Sequence, residues 1–250
     1  MTDAMLGLRG WRSGAYTLLT PENHFASRLP DLPGARVIKL VTPRLAPAQF
    51  AEYLVDLPAG SRGQPIAAGF EHFLYGLDGD ARVVLAGDDL ALGAGGFAYL
   101  PDTAGFELRA GPGEPARVLW IKRRYEPTPG IPAPEAFGGD RSVVESAQTP
   151  VPGLRRAELI PPLDAAFDFN ITLMAFETDI GLPQVEIHDE EHGLYMTAGA
   201  GIYHLDGEDH DVQADDFIYM APYCPQTFRA YAGGAEYLLY KDVHRDGFQH

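Results

Sequence analysis

The chain of 250 residues carries 35 acidic and 19 basic side chains, which gives a formal net charge of -16 at pH 7. This balance argues against nucleic-acid partners and anionic membrane surfaces, since both require basic patches. Hydrophobic residues make up 46% of the chain, enough for a folded core, but no apolar run approaches the roughly 18 residues that span a bilayer. We see no secretion signal, and the single cysteine, Cys224, fits a reducing compartment. We therefore expect a cytoplasmic protein with no nucleic-acid or membrane partner.

In chain order, the sequence predicts short strands separated by glycine-rich and proline-rich turns. Long segments with helical periodicity are missing, although residues 45–58 could hold a brief helix. Many short, regularly spaced strands predict an all-β sandwich or barrel. The predicted strands include ARVIKLV, FLYGL, ARVVLA, GFAYLP, ARVLWIKRRY, NITLMAFE, GIYHL, DFIYMAP and EYLLYKDV.

An internal repeat is the strongest organisational feature. At a constant offset of 120 residues, His72 falls on His192 and Tyr75 falls on Tyr195. The same offset pairs Gly79 with Gly199, Gly87 with Gly207, Asp89 with Asp209, Phe97 with Phe217 and Tyr99 with Tyr219. Glycines at matching turns and aromatic residues at matching strand positions are what a duplicated fold retains. We therefore predict two copies of one β domain.

A proline-rich segment lies between the two copies. Residues 125–153 contain six prolines and almost no apolar periodicity, which is typical of a connector that is at best partly ordered. The predicted boundaries are an N-terminal domain over residues 1–125, a linker over residues 126–153 and a C-terminal domain over residues 154–250.

The stretch PQVEIHDEEHGLYM, residues 183–196, contains candidate metal ligands. Its H-x-x-E-H spacing also matches an inverted zinc-protease helix, but Gly193 follows at once and the flanking sequence alternates as a strand does. On a strand, Glu186 and His188 share one face, and His192 can return to the same interior after a turn. Three potential ligands on one face favour a metal site. The intervening acidic residues, Asp189, Glu190 and Glu191, are expected to form a solvated loop.

Taken together, these motifs resemble the cupin superfamily, and specifically the two-cupin (S)-ureidoglycine aminohydrolases of allantoin breakdown. The resemblance rests on HGLYMTAGAGIY, MAPYCPQ and YLLYKDVHRD in the C-terminal half, and on YTLLTPENH, EHFLYGLDG and KRRYEP in the N-terminal half. The usual first cupin motif carries two histidines before its glutamate, whereas here Glu186 precedes both. Gln226 stands where the second motif normally has a histidine.

The resemblance implies two tandem cupin domains, which are jelly-roll β-barrels, and a single metal site formed by Glu186, His188, His192 and Gln226. Subtracting the repeat offset from these positions gives Ile66, Ala68, His72 and Phe106, so only one of the four ligand types is repeated. The N-terminal cupin is therefore expected to be degenerate and metal-free, with His72 as a core or relic histidine. Mn(II) is the implied cofactor, and another divalent first-row ion is the alternative.

The implied reaction is the hydrolysis of (S)-ureidoglycine to (S)-ureidoglycolate and ammonia in purine catabolism, by an enzyme that acts on a non-peptide C–N bond of the amidine class. Glu186 and Lys241 are the predicted catalytic residues. Lys241, Tyr203 and Tyr237 are expected to bind the small anionic ureide substrate. Cys224 is expected to be a buried apolar residue.

Two alternatives remain open at this stage. One is another metal-dependent cupin enzyme, a dioxygenase or an isomerase, and the other is a non-catalytic ligand-binding bicupin. A homo-oligomer is expected from the sheet edges of the fold.

Overall fold

The computed structural model describes residues 9–85 and 87–243. Its strands are β1 (Trp11–Arg12), β2 (Tyr16–Leu19), β3 (Ala26–Ser27), β4 (Arg36–Val41), β5 (Phe50–Leu57), β6 (Glu71–Asp78), β7 (Asp80–Val84), β8 (Asp89–Gly93), β9 (Gly96–Leu100), β10 (Glu107–Ala110), β11 (Ala116–Arg123), β12 (Phe137–Asp140), β13 (Ser146–Gln148), β14 (Leu154–Ile160), β15 (Phe169–Phe176), β16 (His192–Leu205), β17 (Glu208–Gln213), β18 (Phe217–Met220) and β19 (Gln226–Asp242). The only helices in the described part are two 3-10 turns, Pro21–Asn23 and Arg141–Val143. The prediction of an all-β fold with little helix is confirmed. None of the described residues forms a helix long and apolar enough to cross a membrane.

The chain divides into two compact units. The N-terminal unit comprises residues 25–144 and 165–168. Its larger sheet has the antiparallel order β12-β9-β6-β11-β5-β4-β3, and a second sheet has the order β10-β7-β8. Side chains from both sheets meet in one apolar core, as Leu74 and Trp120 of the larger sheet do with Val83 and Leu92 of the smaller one. Alternation along each strand sends every second side chain into this core.

The C-terminal unit comprises residues 1–24, 145–164 and 169–250. Its strands follow the order β1-β2-β18-β16-β19-β15-β14-β13, with β17 paired to β16. Register shifts interrupt the β16–β19 pairing between Met196 and Ala198 and again between Gly199 and Gly201. Such bulges bend long strands, so that both ends of β16 contribute to one core. Leu194 comes from one end of that strand and Leu205 from the other.

The predicted repeat is visible in the strand registers. His72 pairs with Leu100 and Lys122 in the N-terminal unit, and His192 pairs with Met220 and Lys241 in the C-terminal unit. Gly79 and Gly199 both have a φ of 73°, and a Cβ at either position would lie within 2.2 Å of a backbone oxygen. Only glycine fits such a position without moving the backbone. The two units are therefore copies of one β architecture.

The unit boundaries differ from the predicted domains in two places. Residues 1–24 group with the C-terminal unit, because β2 adds to the edge of β18. The predicted linker, residues 126–153, is also partly structured, since it contains β12, which pairs with β9, and β13, which pairs with β14.

The helix expected over residues 45–58 is wrong. Phe50–Leu57 instead form β5, which is central in the larger N-terminal sheet and has seven of its eight side chains buried. A strand with both faces covered lacks the polar–apolar alternation that identifies a half-exposed one. Pairing with β4 and β11 therefore overrides the local helical pattern.

Candidate active site

The metal-ligand motif is neither a helix nor a regular strand. Residues 183–191 are extended, and Glu186 makes an isolated antiparallel bridge with Gln226. The Glu186 N–H donates to the Gln226 carbonyl at 2.8 Å, and the Gln226 N–H donates back at 3.0 Å. Val185 and Ile187 point the other way and are 50% and 60% exposed. The inverted zinc-protease helix is therefore excluded, and the predicted sharing of one face by Glu186 and His188 holds.

Three of the four predicted ligands lie side by side, and the backbone bridge fixes the fourth against Glu186. The Glu186 carboxylate lies 3.8 Å from His188 Nε2, and the ring centroids of His188 and His192 are 4.8 Å apart. His192 begins β16 and is buried. Gln226 begins β19 and is 4% exposed. The structure therefore brings together residues that are 40 positions apart in the chain.

One polar atom of this cluster has no hydrogen-bond partner among the described residues. It is Nδ1 of the buried His192, whereas the ring nitrogens of His188 face the carboxylates of Glu190 and Glu186. A buried polar atom normally has a hydrogen-bond partner, and coordination of a metal ion would satisfy one that has none. Within residues 9–85 and 87–243, however, no three His, Cys, Asp or Glu side chains converge on a point that a metal ion could occupy. The donor types fit a first-row metal, but Glu186 approaches His188 and not a common centre.

The pKa values of two of these predicted ligands, Glu186 and His192, are lowered. Hydrogen bonding to His188 holds the pKa of Glu186 below its usual value, against a smaller opposing effect of burial. Burial lowers the pKa of His192 well below its usual value, and the neighbouring His188 and Lys241 charges act in the same direction. Glu186 is therefore a carboxylate and His192 a neutral imidazole near pH 7, the protonation states that bind metals.

Lys241, near the end of β19, contacts Glu190, an acidic residue that we did not predict as part of the site. Its Nζ lies 3.1 Å from Glu190 Oε1, and the other oxygen of Glu190 lies 2.8 Å from His188 Nδ1. The expectation that residues 189–191 form a solvated loop is therefore wrong for two of the three. Glu190 is only partly exposed and Glu191 is 3% exposed, whereas Asp189 is exposed.

The N-terminal unit has a buried glutamate, Glu71, at the position equivalent to Glu191. The Tyr219 hydroxyl donates to Glu191 Oε2 at 3.3 Å, and the Tyr99 hydroxyl donates to Glu71 Oε2 at 3.0 Å. The two pairs are related by the same offset of 120 residues. Glu191 thus has a structural counterpart in the N-terminal unit, which contains no complete set of the predicted ligands. The repeat was the signal in the sequence that could have identified it as buried.

The two predicted substrate-binding tyrosines are both 2% exposed. The Tyr203 hydroxyl donates to Gln226 Oε1 at 3.1 Å, so it orients a predicted ligand. The rings of Tyr203 and Tyr237 both pack against a shared neighbour, Phe228, with centroid distances of 5.5 and 5.6 Å. Burial raises the pKa of both hydroxyls well above the usual value, so both stay protonated donors.

Cys224 does not act as a ligand in this structure. It is buried in the C-terminal core, and burial raises the pKa of its thiol to about 11. A thiol with such a pKa carries little thiolate, the reactive form, near neutral pH. The interpretation of Cys224 as a small apolar residue is confirmed.

Comparison with known proteins identifies the family. The chain is 32% identical over 233 residues to the "Probable (S)-ureidoglycine aminohydrolase" of Oryza sativa subsp. japonica, which covers 92% of this chain and 74% of the relative. It is 30% identical over 241 residues to the (S)-ureidoglycine aminohydrolase of Escherichia coli strain K12. This alignment covers 94% of this chain and 91% of the relative. The chain belongs to the (S)-ureidoglycine aminohydrolase family. The predicted family and the prediction that the protein is an enzyme are confirmed.

The fold agrees with membership of the aminohydrolase family. The crystal structure of protein Ylba from E. coli superposes with a TM-score of 0.84 at 29% identity and covers 98% of both chains. Residues 181–241 match the AraC-like ligand binding domain model, so the match covers all four predicted ligands and Lys241. The predicted fold class, two tandem cupin domains with little helix, is confirmed.

The N-terminal unit has apolar residues at positions where the C-terminal unit has predicted ligands. Ile66 and Phe106 make the same isolated bridge as Glu186 and Gln226, with reciprocal backbone hydrogen bonds of 2.7 and 3.1 Å. His72 is a buried core residue, as predicted, and its Nδ1 accepts a hydrogen bond from Trp120 Nε1 at 3.1 Å. Burial lowers the pKa of His72 to about 3, so it is neutral.

Proposed function

We propose that this chain hydrolyses (S)-ureidoglycine to (S)-ureidoglycolate and ammonia in purine catabolism, and that a divalent metal ion bound in the C-terminal unit supports the reaction. The family supplies the reaction, since the curated relatives are named for this activity. One observation carries the location: Glu186, His188, His192 and Gln226 meet beside Lys241.

The metal would be held by two imidazole nitrogens, one carboxylate and one amide oxygen. Such a nitrogen and oxygen set without thiolate suits Mn(II) or another first-row ion. The unpartnered Nδ1 of His192 supports this assignment, because coordination would satisfy it. A bound ion of this kind lowers the pKa of a coordinated water and supplies hydroxide near neutral pH. Rotation of Glu186 away from His188 would complete the ligand set.

Lys241 would bind the carboxylate of the substrate. In the structure, its ammonium group lies beside Glu190, whose carboxylate holds the position that an anionic substrate group would take. Lysine is a compact point charge with three rotatable donors, so it can exchange one carboxylate for another. Glu190 would then be a positioning residue that holds Lys241 in the site when the substrate is absent.

Protonation of the leaving amine requires a donor close to the reacting carbon. Glu186 is the carboxylate nearest to the two histidines and lies partly exposed at the edge of the site. Because Glu186 is a carboxylate near pH 7, we assign it a relay in addition to ligation: it would accept a proton from the attacking water and pass it to the leaving amine. Tyr203 and Tyr237 keep their protons near neutral pH and would donate hydrogen bonds to the ureido group or to a ligand.

An ammonia-release assay on freshly generated ureidoglycine tests this function. Metal-stripped protein is assayed with and without Mn(II), beside Glu186→Ala, and the spontaneous decay of the substrate is subtracted. We expect release that depends on Mn(II) and falls to background in the variant, because that variant loses both a ligand and the proton relay. Metal binding is followed separately by the Mn(II) electron paramagnetic resonance signal.

The outcomes separate the parts of the proposal. Background release by the wild-type protein together with tight Mn(II) binding would leave the metal site and remove the substrate assignment. Oxygen consumption, or activity with Fe(II) alone, would point instead to the dioxygenase alternative. Full release without any divalent metal would remove the metal from the mechanism. The homo-oligomer and the cytoplasmic location stay predictions.

Tyr203→Phe is expected to weaken Mn(II) binding about tenfold, because groups that orient a metal ligand typically contribute 10-fold to 100-fold in affinity. The variant removes only the hydroxyl that donates to Gln226 at 3.1 Å. Tyr237→Phe is the matched control for metal affinity, since Tyr237 is equally buried and its hydroxyl makes no hydrogen bond to a predicted ligand. Dissociation constants from Mn(II) titrations decide the comparison. Equal affinities of the two variants would contradict the orienting role of Tyr203.

A further inference from the structure

The N-terminal unit contains a cavity of about 360 Å³ whose lining is aromatic and cationic. Tyr53, Phe70, Lys122 and Arg124 contribute to its wall. This volume lies within the range of small-molecule sites, which are mostly apolar with a few convergent polar groups. An acidic side chain, Glu126, also lines the cavity and lies 3.4 Å from Arg123, which is a further cationic residue of the cavity wall.

Lys122 is the central polar group of this cavity. Its Nζ lies 5.8 Å from the ring centroid of Tyr53, 5.0 Å from that of Phe70 and 5.6 Å from that of Trp120. Among residues 9–85 and 87–243, no carboxylate lies within ion-pair distance of this ammonium group. Burial lowers the pKa of Lys122, as expected for an ammonium group held among aromatic rings, and the charge of Asp31 opposes this effect only in part.

A second cation lies near the same ring. The Arg124 guanidinium lies 5.3 Å from the Phe70 ring centroid, so Phe70 contacts two cationic side chains that both line the cavity. Aromatic faces attract cations, but they do not neutralise them as an anion does. The cavity wall therefore combines three cationic side chains and one carboxylate with apolar residues, in a protein whose net charge is -16.

We propose that this cavity is a binding site for a small organic carboxylate, with the carboxylate on Lys122 and the apolar part of the ligand against Tyr53 and Phe70. The site binds without catalysis, because Ile66 and Phe106 occupy the positions of two predicted metal ligands in the other unit. It is distinct from the proposed active site and does not depend on the proposed reaction.

Benzoate is the probe, because it combines one carboxylate with one flat apolar ring. The titration uses the full chain with Trp11→Phe, which leaves Trp120 as the single tryptophan. Trp11 is 52% exposed and lies in the other unit, so its replacement leaves the cavity unchanged. We expect a saturable change in Trp120 fluorescence with a dissociation constant of about 1 mM, a typical affinity for so small a ligand.

Lys122→Met should weaken benzoate binding about tenfold or more, since a charge-assisted hydrogen bond is lost, and Lys122→Arg should retain binding. Lys241→Met is the matched control, because Lys241 occupies the repeat-related position in the other unit. It should bind benzoate as the parent does. Loss of binding in Lys241→Met with retention in Lys122→Met would overturn the proposal, because the anion would then occupy the C-terminal unit.

A neutral analogue provides a test that needs no Lys122 variant to fold. Benzyl alcohol has the same ring but no charge, and it should bind the Trp11→Phe protein at least tenfold more weakly than benzoate. Equal affinity for the two compounds would overturn recognition of a carboxylate. The absence of any saturable benzoate signal, checked by isothermal titration calorimetry, would overturn the site itself.

Discussion

Replacing Arg123 by Met is expected to lower the free energy of unfolding of the N-terminal unit by about 3–5 kcal/mol, the usual cost of removing one partner of a buried ion pair. The Arg123 side chain is 2% exposed. Its Nε lies 3.5 Å from Asp168 Oδ2 and 3.8 Å from Glu71 Oε1. Methionine fills most of the volume but leaves the acidic pair without its cation.

Only one of the two acids needs to carry the charge. Burial, reinforced by the neighbouring Asp168, raises the pKa of Glu71 well above its usual value, so Glu71 stays protonated near pH 7. Asp168 also accepts a hydrogen bond from the Glu126 N–H at 2.8 Å. Arg123 is the buried cation that faces Asp168 and the side chain of Glu126, and removing it leaves both carboxyl groups without that partner.

Arg117→Met is the control for this prediction. Arg117 lies on the same strand and contacts Asp56 at 2.8 Å, but its side chain is 40% exposed. Exposed pairs of this kind contribute about 1 kcal/mol or less. Urea denaturation of both variants measures the difference. Equal losses of stability would show that the Arg123 cluster is solvated and not buried.

The repeat shows how much of the fold could be predicted from the sequence. Glycines and aromatic residues at a fixed offset were sufficient to predict two copies of one β domain, and the strand registers at His72 and His192 agree. The repeat-related pair Glu71 and Glu191 lies one position before the aligned block that begins at His72. Because Glu191 follows two other acidic residues, local composition indicated solvent, whereas tertiary packing buries it.

The elements that were wrongly predicted depend on long-range pairing. The strand Phe50–Leu57 is buried on both faces, so its sequence lacks the alternation that identifies a half-exposed strand. Residues 1–24 join the C-terminal unit because β2 pairs with β18, some 200 positions away in the chain. Composition and local periodicity carry no information on such a partner.

For the site, spacing predicted which residues meet but not how their side chains are oriented. Glu186, His188 and His192 were identified from alternation along an extended segment, and the structure places them together. The contacts of Glu190 with His188 and Lys241 depend on side-chain orientation and on the β16–β19 register, which no local pattern encodes. Gln226 was predicted only through the family resemblance, because glutamine is a common loop residue.

The second large effect on stability is expected for a variant of Glu52. This residue of β5 is fully buried. Neither oxygen of its carboxyl group has a hydrogen-bond partner, and burial raises its pKa to about 8. In the folded protein it is therefore protonated near neutral pH, whereas in the unfolded chain it ionises near its ordinary pKa of 4.5. The flanking residues of the neighbouring strands, Val41 and Ile121, offer no charge that would stabilise the ionised form.

The sign of the pH dependence follows from these two pKa values. A raised pKa in the folded state gives a stabilising contribution that is complete below pH 4.5 and is lost as the pH rises to about 8. One pKa unit corresponds to about 1.4 kcal/mol, so the loss amounts to about 4 kcal/mol between pH 5 and pH 8. Glu52→Gln has nearly the same shape and does not titrate. Its free energy of unfolding should therefore fall less over this range than that of the wild-type protein, by about this amount.

Urea denaturation at a series of pH values between 5 and 8 measures the difference between the two proteins, in which the contributions of all other titrating groups cancel. Glu114→Gln removes a carboxylate from an exposed position and controls for the change in net charge. Parallel stability curves for Glu52→Gln and the wild-type protein would mean that Glu52 is ionised in the folded state and paired with a cation. A steeper fall in the wild-type protein alone would establish a buried, neutral carboxyl group in the centre of the larger N-terminal sheet.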